Sequence, residues 1–159
     1  MTLTPRQNIF QTASAGVKAM MAVEGAIASS GVDHSLLHLV KLRASQINGC
    51  SFCIHMHAKE AVKQGESDMR IHLLNAWRES PLFNDRERAA LAWTETLTTV
   101  SETGAPDALY EELQRHFNET EIAYLTFQIG AINLWNRLQI GLRAIHGVDA
   151  TDKPAAQAA

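Results

Sequence analysis

The chain of 159 residues contains only two cysteines, few aromatic residues and no long apolar run. Aromatic residues make up 6% of the sequence and are not interleaved with Arg or Lys, which argues against stacking on nucleic-acid bases. The formal net charge is −3 and no block of like charge occurs, so neither nucleic acid nor a membrane surface is expected as a partner. No apolar run approaches the length of a membrane span.

The amino-terminal residues also lack an apolar segment of the signal-peptide type, which predicts a cytoplasmic protein. In a reducing compartment, a Cys-x-x-Cys pair is more often catalytic or metal-binding than structural. The hydrophobic fraction of 46% and the charged fraction of 19% are typical of a globular protein. We expect a single domain over residues 1–150, followed by a flexible tail over residues 151–159 that carries no core pattern.

Hydrophobic residues recur at helical spacing along the chain, and no segment alternates like a half-buried strand. The sequence therefore predicts an all-α domain. Turn and capping signals delimit seven helices, at about 5–29, 33–47, 49–64, 67–77, 86–100, 107–116 and 118–142. The last helix is apolar on more than one face, which is typical of a central core helix or of one that also contacts another subunit. Four basic residues are interpreted as a solvated helical face: Lys41, Arg43, Lys59 and Lys63.

The clearest chemical signal is a Cys-x-x-Cys pair followed four residues later by a histidine. At 100° per residue, Cys50, Cys53 and His57 share one face of the third predicted helix, whereas His55 points away from it. The turn signal Asn48-Gly49 places both thiols in the first turn of that helix, where free N–H groups and the helix dipole stabilise a thiolate. The pattern supplies a reactive thiolate, a second thiol and a base, which are the groups needed to reduce a peroxide or a disulfide.

The segment Leu39–His57, which contains this motif, resembles the core motif of the alkylhydroperoxidase D (AhpD)-like branch of the carboxymuconolactone decarboxylase superfamily. The segments Glu87–Trp93 and Ile132–Arg137 are also similar to that family, and the resemblance covers about residues 5–145. It implies an all-helical fold that assembles into trimers or hexamers, and a thiol-dependent peroxidase. It further implies an organic hydroperoxide or hydrogen peroxide as substrate and a lipoyl- or thioredoxin-type dithiol as reductant. No bound cofactor and no metal are expected.

The resemblance also implies roles for individual residues. Cys53 would attack the peroxide, Cys50 would resolve the sulfenic acid, and His57 would relay the proton. His38 stands where the family has a glutamate, and we predict it as a further catalytic residue because a histidine shuttles protons near neutral pH. A histidine cannot supply the carboxylate that would orient His57. The helix dipole alone favours Cys50 as the nucleophile, so the order of the two cysteines stays open.

Two other functions are compatible with the same residues. Cys50, Cys53, His57 and His38 make a four-ligand set for zinc, although structural zinc sites usually divide their ligands between separate elements. The chain could also be a non-redox oligomer of the superfamily, whose decarboxylase branch performs acid–base chemistry on lactones, generally without the cysteine pair. The presence of both thiols favours the redox function.

Overall fold

The structure is a computed structural model that describes residues 3–148 and Asp152. Within this part of the chain all regular secondary structure is helical, which confirms the predicted fold class. The α-helices are α1 (Ile9–Thr12), α2 (Ser14–Ala28), α3 (His34–Asn48), α4 (Ser51–Lys63), α5 (Asp68–Leu73), α6 (Asp85–Thr98), α7 (Val100–Thr103), α8 (Asp107–Gln114) and α9 (Glu119–Gly141). A 3₁₀ turn, Leu74–Ala76, follows α5. The predicted flexible tail lies outside the described residues, except for Asp152.

The first helix begins later than the sequence predicts and is divided in two. Asn8 caps α1, and its side-chain oxygen accepts the N–H of Phe10 at 3.0 Å. The backbone then leaves the helical region at Ala13, with φ −137° and ψ 44°, before α2 begins. Asparagine is a stronger helix cap than threonine. The helix is therefore capped at Asn8 and begins at Ile9, rather than at the Thr4-Pro5 pair that favoured an earlier start.

The centre of the molecule is formed by α3 and α9. The helix α3 packs against α4, α6 and α9, and its buried residues include Leu39, Val40 and Leu42. One apolar cluster joins Val40 to Trp93 of α6 and to α9, and a second joins Leu42 to Trp77 and α6. Because α3 contacts the helices on every side, its carboxyl end has a fixed position from which α4 begins. None of the helices in residues 3–148 is long and apolar enough to cross a membrane.

The long helix α9 is both a core helix and the carrier of an exposed apolar face. Ile129 and Ile132 are buried, whereas Phe127 is 61% exposed and Leu134 is 42% exposed. These two exposed side chains line a groove of about 780 Å³ together with Tyr110 of α8. This apolar groove accounts for the sequence pattern that placed hydrophobic residues on more than one face of the last helix.

A partly buried ion network ties α3 to α6 and to the segment before α6. Arg43 Nε donates to Glu95 Oε1 at 2.7 Å, and Trp77 Nε1 donates to the same oxygen at 2.9 Å. Arg78 donates to the other carboxylate oxygen. The interpretation of Arg43 as part of a solvated face was wrong, because its side chain is only 16% exposed in this network. Although burial raises the pKa of Glu95, its three donors lower it below the ordinary value.

Replacing Glu95 by Gln should destabilise the fold. The substitution leaves Arg43 buried without a counter-charge, so we expect the free energy of unfolding at neutral pH to fall by about 2–4 kcal/mol. The pKa of Glu95 is lower in the folded than in the unfolded chain, so its contribution is present at neutral pH and is lost as the pH falls through the folded-state pKa. The difference from the wild type should therefore shrink in acid, as measured by denaturant unfolding at several pH values. Glu79→Gln, at an exposed position, is the control and should change stability by less than about 0.5 kcal/mol.

Candidate active site

The site is built on the tight turn between α3 and α4. Gly49 ends α3 with φ +69°, a left-handed conformation in which any other side chain would be strained. The N–H of Cys50 then donates to the carbonyl oxygen of Ser45 at 3.0 Å, and the N–H of Gly49 donates to that of Gln46 at 3.3 Å. This pair of bonds is a Schellman motif, which satisfies the last carbonyls of α3. Cys50 is therefore held by its backbone against the end of one helix while it begins the next.

Cys50 is the amino-terminal cap of α4 through its side chain. Its Sγ accepts the N–H of Cys53 at 3.3 Å, in the place where a serine or aspartate oxygen usually lies. The two cysteines are 2.5 Å apart and both are unbonded thiols with 1% of their surface exposed. Their neighbours in a small apolar cluster are Ala44 and Ile132. The predicted adjacency of the thiols at the start of this helix is confirmed.

The two thiols have opposite acid–base properties. The hydrogen bond from the Cys53 thiol lowers the pKa of Cys50 to about 7, against the opposing effect of burial, with help from the N–H groups at the helix start. The same hydrogen bond and burial raise the pKa of Cys53. With a pKa of about 7, Cys50 is partly ionised at neutral pH, and in the ionised pair the negative charge lies on Cys50 and the proton on Cys53. The electrostatic preference for Cys50 that the helix dipole suggested is reproduced by these contacts.

The two thiols open toward different cavities. Cys53 and His57 line a cavity of about 300 Å³ whose other walls are mainly apolar, with Phe10, Phe52 and Trp135 among them. Cys50 instead lines a cavity of about 220 Å³ on the other side of Phe52, together with Arg143 and His146. The aromatic ring at position 52 and Gln139 border both cavities. Cys53 therefore borders the first cavity and Cys50 the second, each with only 1% of its surface exposed.

His57 is oriented by a carboxylate one turn further along α4. Its Nδ1 lies 2.8 Å from Glu60 Oε2, and the His57 side chain is buried with 8% exposed. The hydrogen bond from His57 lowers the pKa of Glu60, so Glu60 is a carboxylate that can only accept. Nδ1 therefore carries the hydrogen, which leaves Nε2 as the nitrogen that can take up a proton. The sequence prediction missed Glu60, although its i, i+3 spacing from His57 on a predicted helix was a usable signal.

His38 lies on α3 close to this pair. One ligand atom from each of His38, His57 and Glu60 lies within 4.8 Å of the other two. Burial lowers the pKa of His38, and the nearby Lys41 ammonium lowers it further. The structure thus brings His38 next to the predicted base, but the clustered groups contain neither cysteine. The four-residue zinc set predicted from the sequence is therefore not the group that the fold assembles.

A polar network from α9 closes the site from behind. Asn136, which is fully buried, donates from Nδ2 to Ser45 Oγ at 3.0 Å and accepts from Asn48 Nδ2 at 2.8 Å. Its side chain also lowers the pKa of both cysteines. Asn136 therefore links the end of α3 to the thiols. Asn136 lies in the segment Ile132–Arg137, which is similar to the family, but a lone asparagine in an apolar helix carries no spacing signal from which its role could be predicted.

His55 lies outside this site, in agreement with the helical-face argument. Its Nε2 is 3.1 Å from Asp152 Oδ2, and its ring stacks on His146 with centroids 4.2 Å apart. Asp152 also pairs with Lys59 at 2.8 Å. The two histidines of the His-x-His sequence therefore have separate partners: His55 pairs with Asp152 and His57 with Glu60.

The all-helical fold with its Cys-x-x-Cys pair at the start of α4 is that of an AhpD-like protein. The chain belongs to the carboxymuconolactone decarboxylase family, whose family model matches residues 15–96.

Relatives are found along most of the chain. It is 36% identical over 140 residues to YdfG, an uncharacterized protein of Bacillus subtilis (strain 168), covering 88% of this chain and 95% of that protein. It is 37% identical over 106 residues to YnjA, an uncharacterized protein of Escherichia coli (strain K12), covering 66% of this chain and 57% of YnjA. A crystal structure from Agrobacterium tumefaciens, described as a protein of unknown function and a candidate antioxidant defence protein AhpD, is 46% identical with a TM-score of 0.89. It covers 92% of this chain and 100% of that one.

Removing the Cys53 thiol should raise the pKa of Cys50. The largest cause of the low value is the hydrogen bond from Cys53, so in Cys53→Ala we expect the thiolate of Cys50 to form well above pH 7. The ultraviolet absorbance of the thiolate, followed during a pH titration of the reduced protein, measures this midpoint.

The reciprocal variant provides the control. In Cys50→Ala the remaining Cys53 should titrate at a lower pH than in the wild type, because its hydrogen bond to Cys50 is gone, but still above an ordinary cysteine because it stays buried. An unchanged midpoint near pH 7 in Cys53→Ala would show that the two thiols do not share a proton.

Proposed function

We propose that this protein is a dithiol peroxidase that reduces hydroperoxides through a reversible bond between Cys50 and Cys53. The observation that carries the proposal is the pair of adjacent thiols, one with its pKa lowered to about 7, beside the His57–Glu60 pair at the wall of an apolar cavity. A thiolate, a resolving thiol and an oriented base are the groups that this reaction needs. The similarity to a candidate antioxidant protein supports the same function.

Cys53 is the thiol that attacks in this proposal, and Cys50 is the one that resolves. Cys50 carries the charge in the resting pair, but Cys53 lines the larger, apolar cavity together with His57. The two sulfurs share one proton, and its transfer to His57 leaves Cys53 as the thiolate that attacks the peroxide. The position of the base therefore favours Cys53, in line with the family resemblance.

The reaction proceeds in two balanced steps. His57 takes the proton of Cys53, and the Cys53 sulfur attacks the outer oxygen of the peroxide. An S–O bond forms, the O–O bond breaks, and the alcohol leaves with the proton from His57, so that Cys53 is oxidised to a sulfenic acid. The Cys50 thiolate then attacks that sulfur, an S–S bond forms, and hydroxide leaves and is protonated to water. An external dithiol restores both thiols with two electrons.

Glu60 is the positioning residue of this relay, and it takes over the part that a carboxylate at position 38 would play. It fixes the tautomer of His57 and stabilises the imidazolium that forms when His57 holds the proton. His38, neutral because burial lowers its pKa, contributes a second proton acceptor near Glu60.

The cavity and the exposed groove suggest the partners. The apolar walls of the cavity that Cys53 and His57 line favour an organic hydroperoxide over hydrogen peroxide, because a hydrocarbon substituent would be transferred from water to apolar surface. A lipoyl- or thioredoxin-type dithiol in a reducing cytoplasm is the proposed reductant.

The groove on α9 around Phe127 and Leu134 is the proposed contact between subunits of a trimer or hexamer.

Stoichiometric organic hydroperoxide should convert the reduced protein to a form with one intramolecular Cys50–Cys53 bond. Mass spectrometry should detect the loss of two hydrogens and a peptide linking the two cysteines. Cys50→Ser should stop at a sulfenic acid on Cys53, which a dimedone adduct identifies. The assignment would be reversed if Cys53→Ser formed a sulfenic acid on Cys50 while Cys50→Ser formed none on Cys53. Full peroxide turnover in both variants would contradict the proposed function.

Glu60→Gln should lower kcat for peroxide reduction by about 10- to 100-fold, because His57 loses the carboxylate that orients it. The matched control is Glu112→Gln, which removes another glutamate one turn from a histidine, His116, at similar exposure: 42% against 44% for Glu60. We expect that control to keep wild-type kcat. In a His57→Asn background the Glu60→Gln change should have no further effect, since a positioning residue acts only through His57. Independent losses in the two backgrounds would contradict this role.

A further inference from the structure

The cluster of His38, His57 and Glu60 has the composition of a cation site. One ligand atom from each residue lies within 4.8 Å of the others, and α3 supplies one ligand while α4 supplies two. Imidazole nitrogen with carboxylate oxygen is a ligand set that zinc and similar divalent cations prefer. Two helices fixed against each other in the core therefore present three ligands at one point, independently of the cysteines.

The spacing of the three groups suits a zinc-sized ion. Zinc binds histidine nitrogen and carboxylate oxygen at about 2.0–2.2 Å in tetrahedral sites, so its ligand atoms lie about 3.4 Å apart. His57 Nδ1 lies 2.8 Å from Glu60 Oε2, and the ligand atoms of the cluster all lie within 4.8 Å of one another. Zinc binding would require the three side chains to rotate until these atoms reach the zinc spacing. The cation would take the place of the proton that lies between His57 and Glu60.

A second observation concerns the His38 side chain of the same cluster. His38 is only 6% exposed, and its buried Nδ1 has no hydrogen-bond partner among the residues that the structure describes. A buried ring nitrogen without a partner costs stability unless something binds it. His38 and Glu60 also line a cavity of about 230 Å³ through which an ion can approach.

We propose that His38, His57 and Glu60 bind one divalent cation of the zinc type, with a fourth position left for water. The binding itself does not depend on the proposed peroxidase function. Its consequence does: a metal on His57 removes the base from the relay, so bound cation would suppress peroxide reduction while both thiols stay intact. The same three residues then carry a relay in the metal-free protein and a closed site in the metal-bound one.

One charge near the cluster opposes the cation. Lys41 lines both cavities that Glu60 borders, and its ammonium lies close enough to lower the pKa of His38 and of Glu60. Glu24 lines the same two cavities and offers a partly compensating negative charge. Removal of the Lys41 charge should therefore strengthen cation binding, whereas a purely structural cluster would show no such response.

The test is Zn²⁺ and Co²⁺ binding to the Cys50→Ser/Cys53→Ser full-length protein, in which the thiols cannot act as ligands. We expect one Zn²⁺ per chain by calorimetry and a tetrahedral cobalt spectrum in the visible range. In the same background, His38→Asn and Glu60→Gln should each weaken binding at least about tenfold, and Glu112→Gln should leave it unchanged. Lys41→Gln should bind more tightly, and because position 41 is half-buried rather than core, this variant tests the proposal even if His38→Asn fails to fold.

Absence of Zn²⁺ binding to the double-serine protein would overturn the proposal, as would equal affinity in a folded His38→Asn variant or weaker binding in Lys41→Gln. A wild-type protein that binds zinc only through its thiols would give a sulfur-to-cobalt charge-transfer band that the double-serine protein lacks, which also overturns it. None of these measurements uses peroxide. A failed peroxidase assay therefore leaves the metal result standing, and a failed metal titration leaves the peroxidase proposal untouched.

Discussion

The hydrogen bond between the two cysteine sulfurs depends on the turn that joins α3 to α4. Gly49 adopts its left-handed conformation so that the N–H of Cys50 can close the end of α3. The Sγ of Cys50 then accepts a hydrogen bond from the N–H of Cys53. Because one residue finishes one helix and begins the next, the position of its sulfur is fixed by the backbone of both. The lowered pKa of Cys50 follows from this geometry rather than from a nearby cation.

The surrounding fold keeps these short contacts in place. Buried α3 is held by apolar clusters on two sides and by the Arg43–Glu95 ion pair, and α9 places Asn136 against its carboxyl end. The thiols themselves are packed in apolar surroundings, which would raise the pKa of an isolated cysteine. The hydrogen bonds at the start of α4, together with that of Asn136, reverse that effect for Cys50 but not for Cys53.

The sequence predicted those features that depend on local spacing. The Cys-x-x-Cys pair, the turn at Gly49 and the helical face shared with His57 all lie within about two helical turns, and the structure has them together. Contacts between distant segments were not predictable in this way. Arg43 was taken for a surface residue because its partner, Glu95, lies 52 positions away. Asn136, 91 positions from Ser45, gave no signal for the same reason.

Glu60 is a different case, because it lies within reach of a local argument and was still missed. The family resemblance implied a carboxylate at position 38 on α3, where this chain has a histidine. The carboxylate beside His57 lies instead on the next turn of α4, at Glu60. A base and its orienting group on separate helices keep their distance only as long as those helices do not slide. His57 and Glu60 both lie on α4, so a shift of α3 along α4 does not change their alignment. A small shift of α3 relative to α4 would change the access of a substrate to the sulfurs, while the hydrogen bond to Glu60 would keep the tautomer of His57.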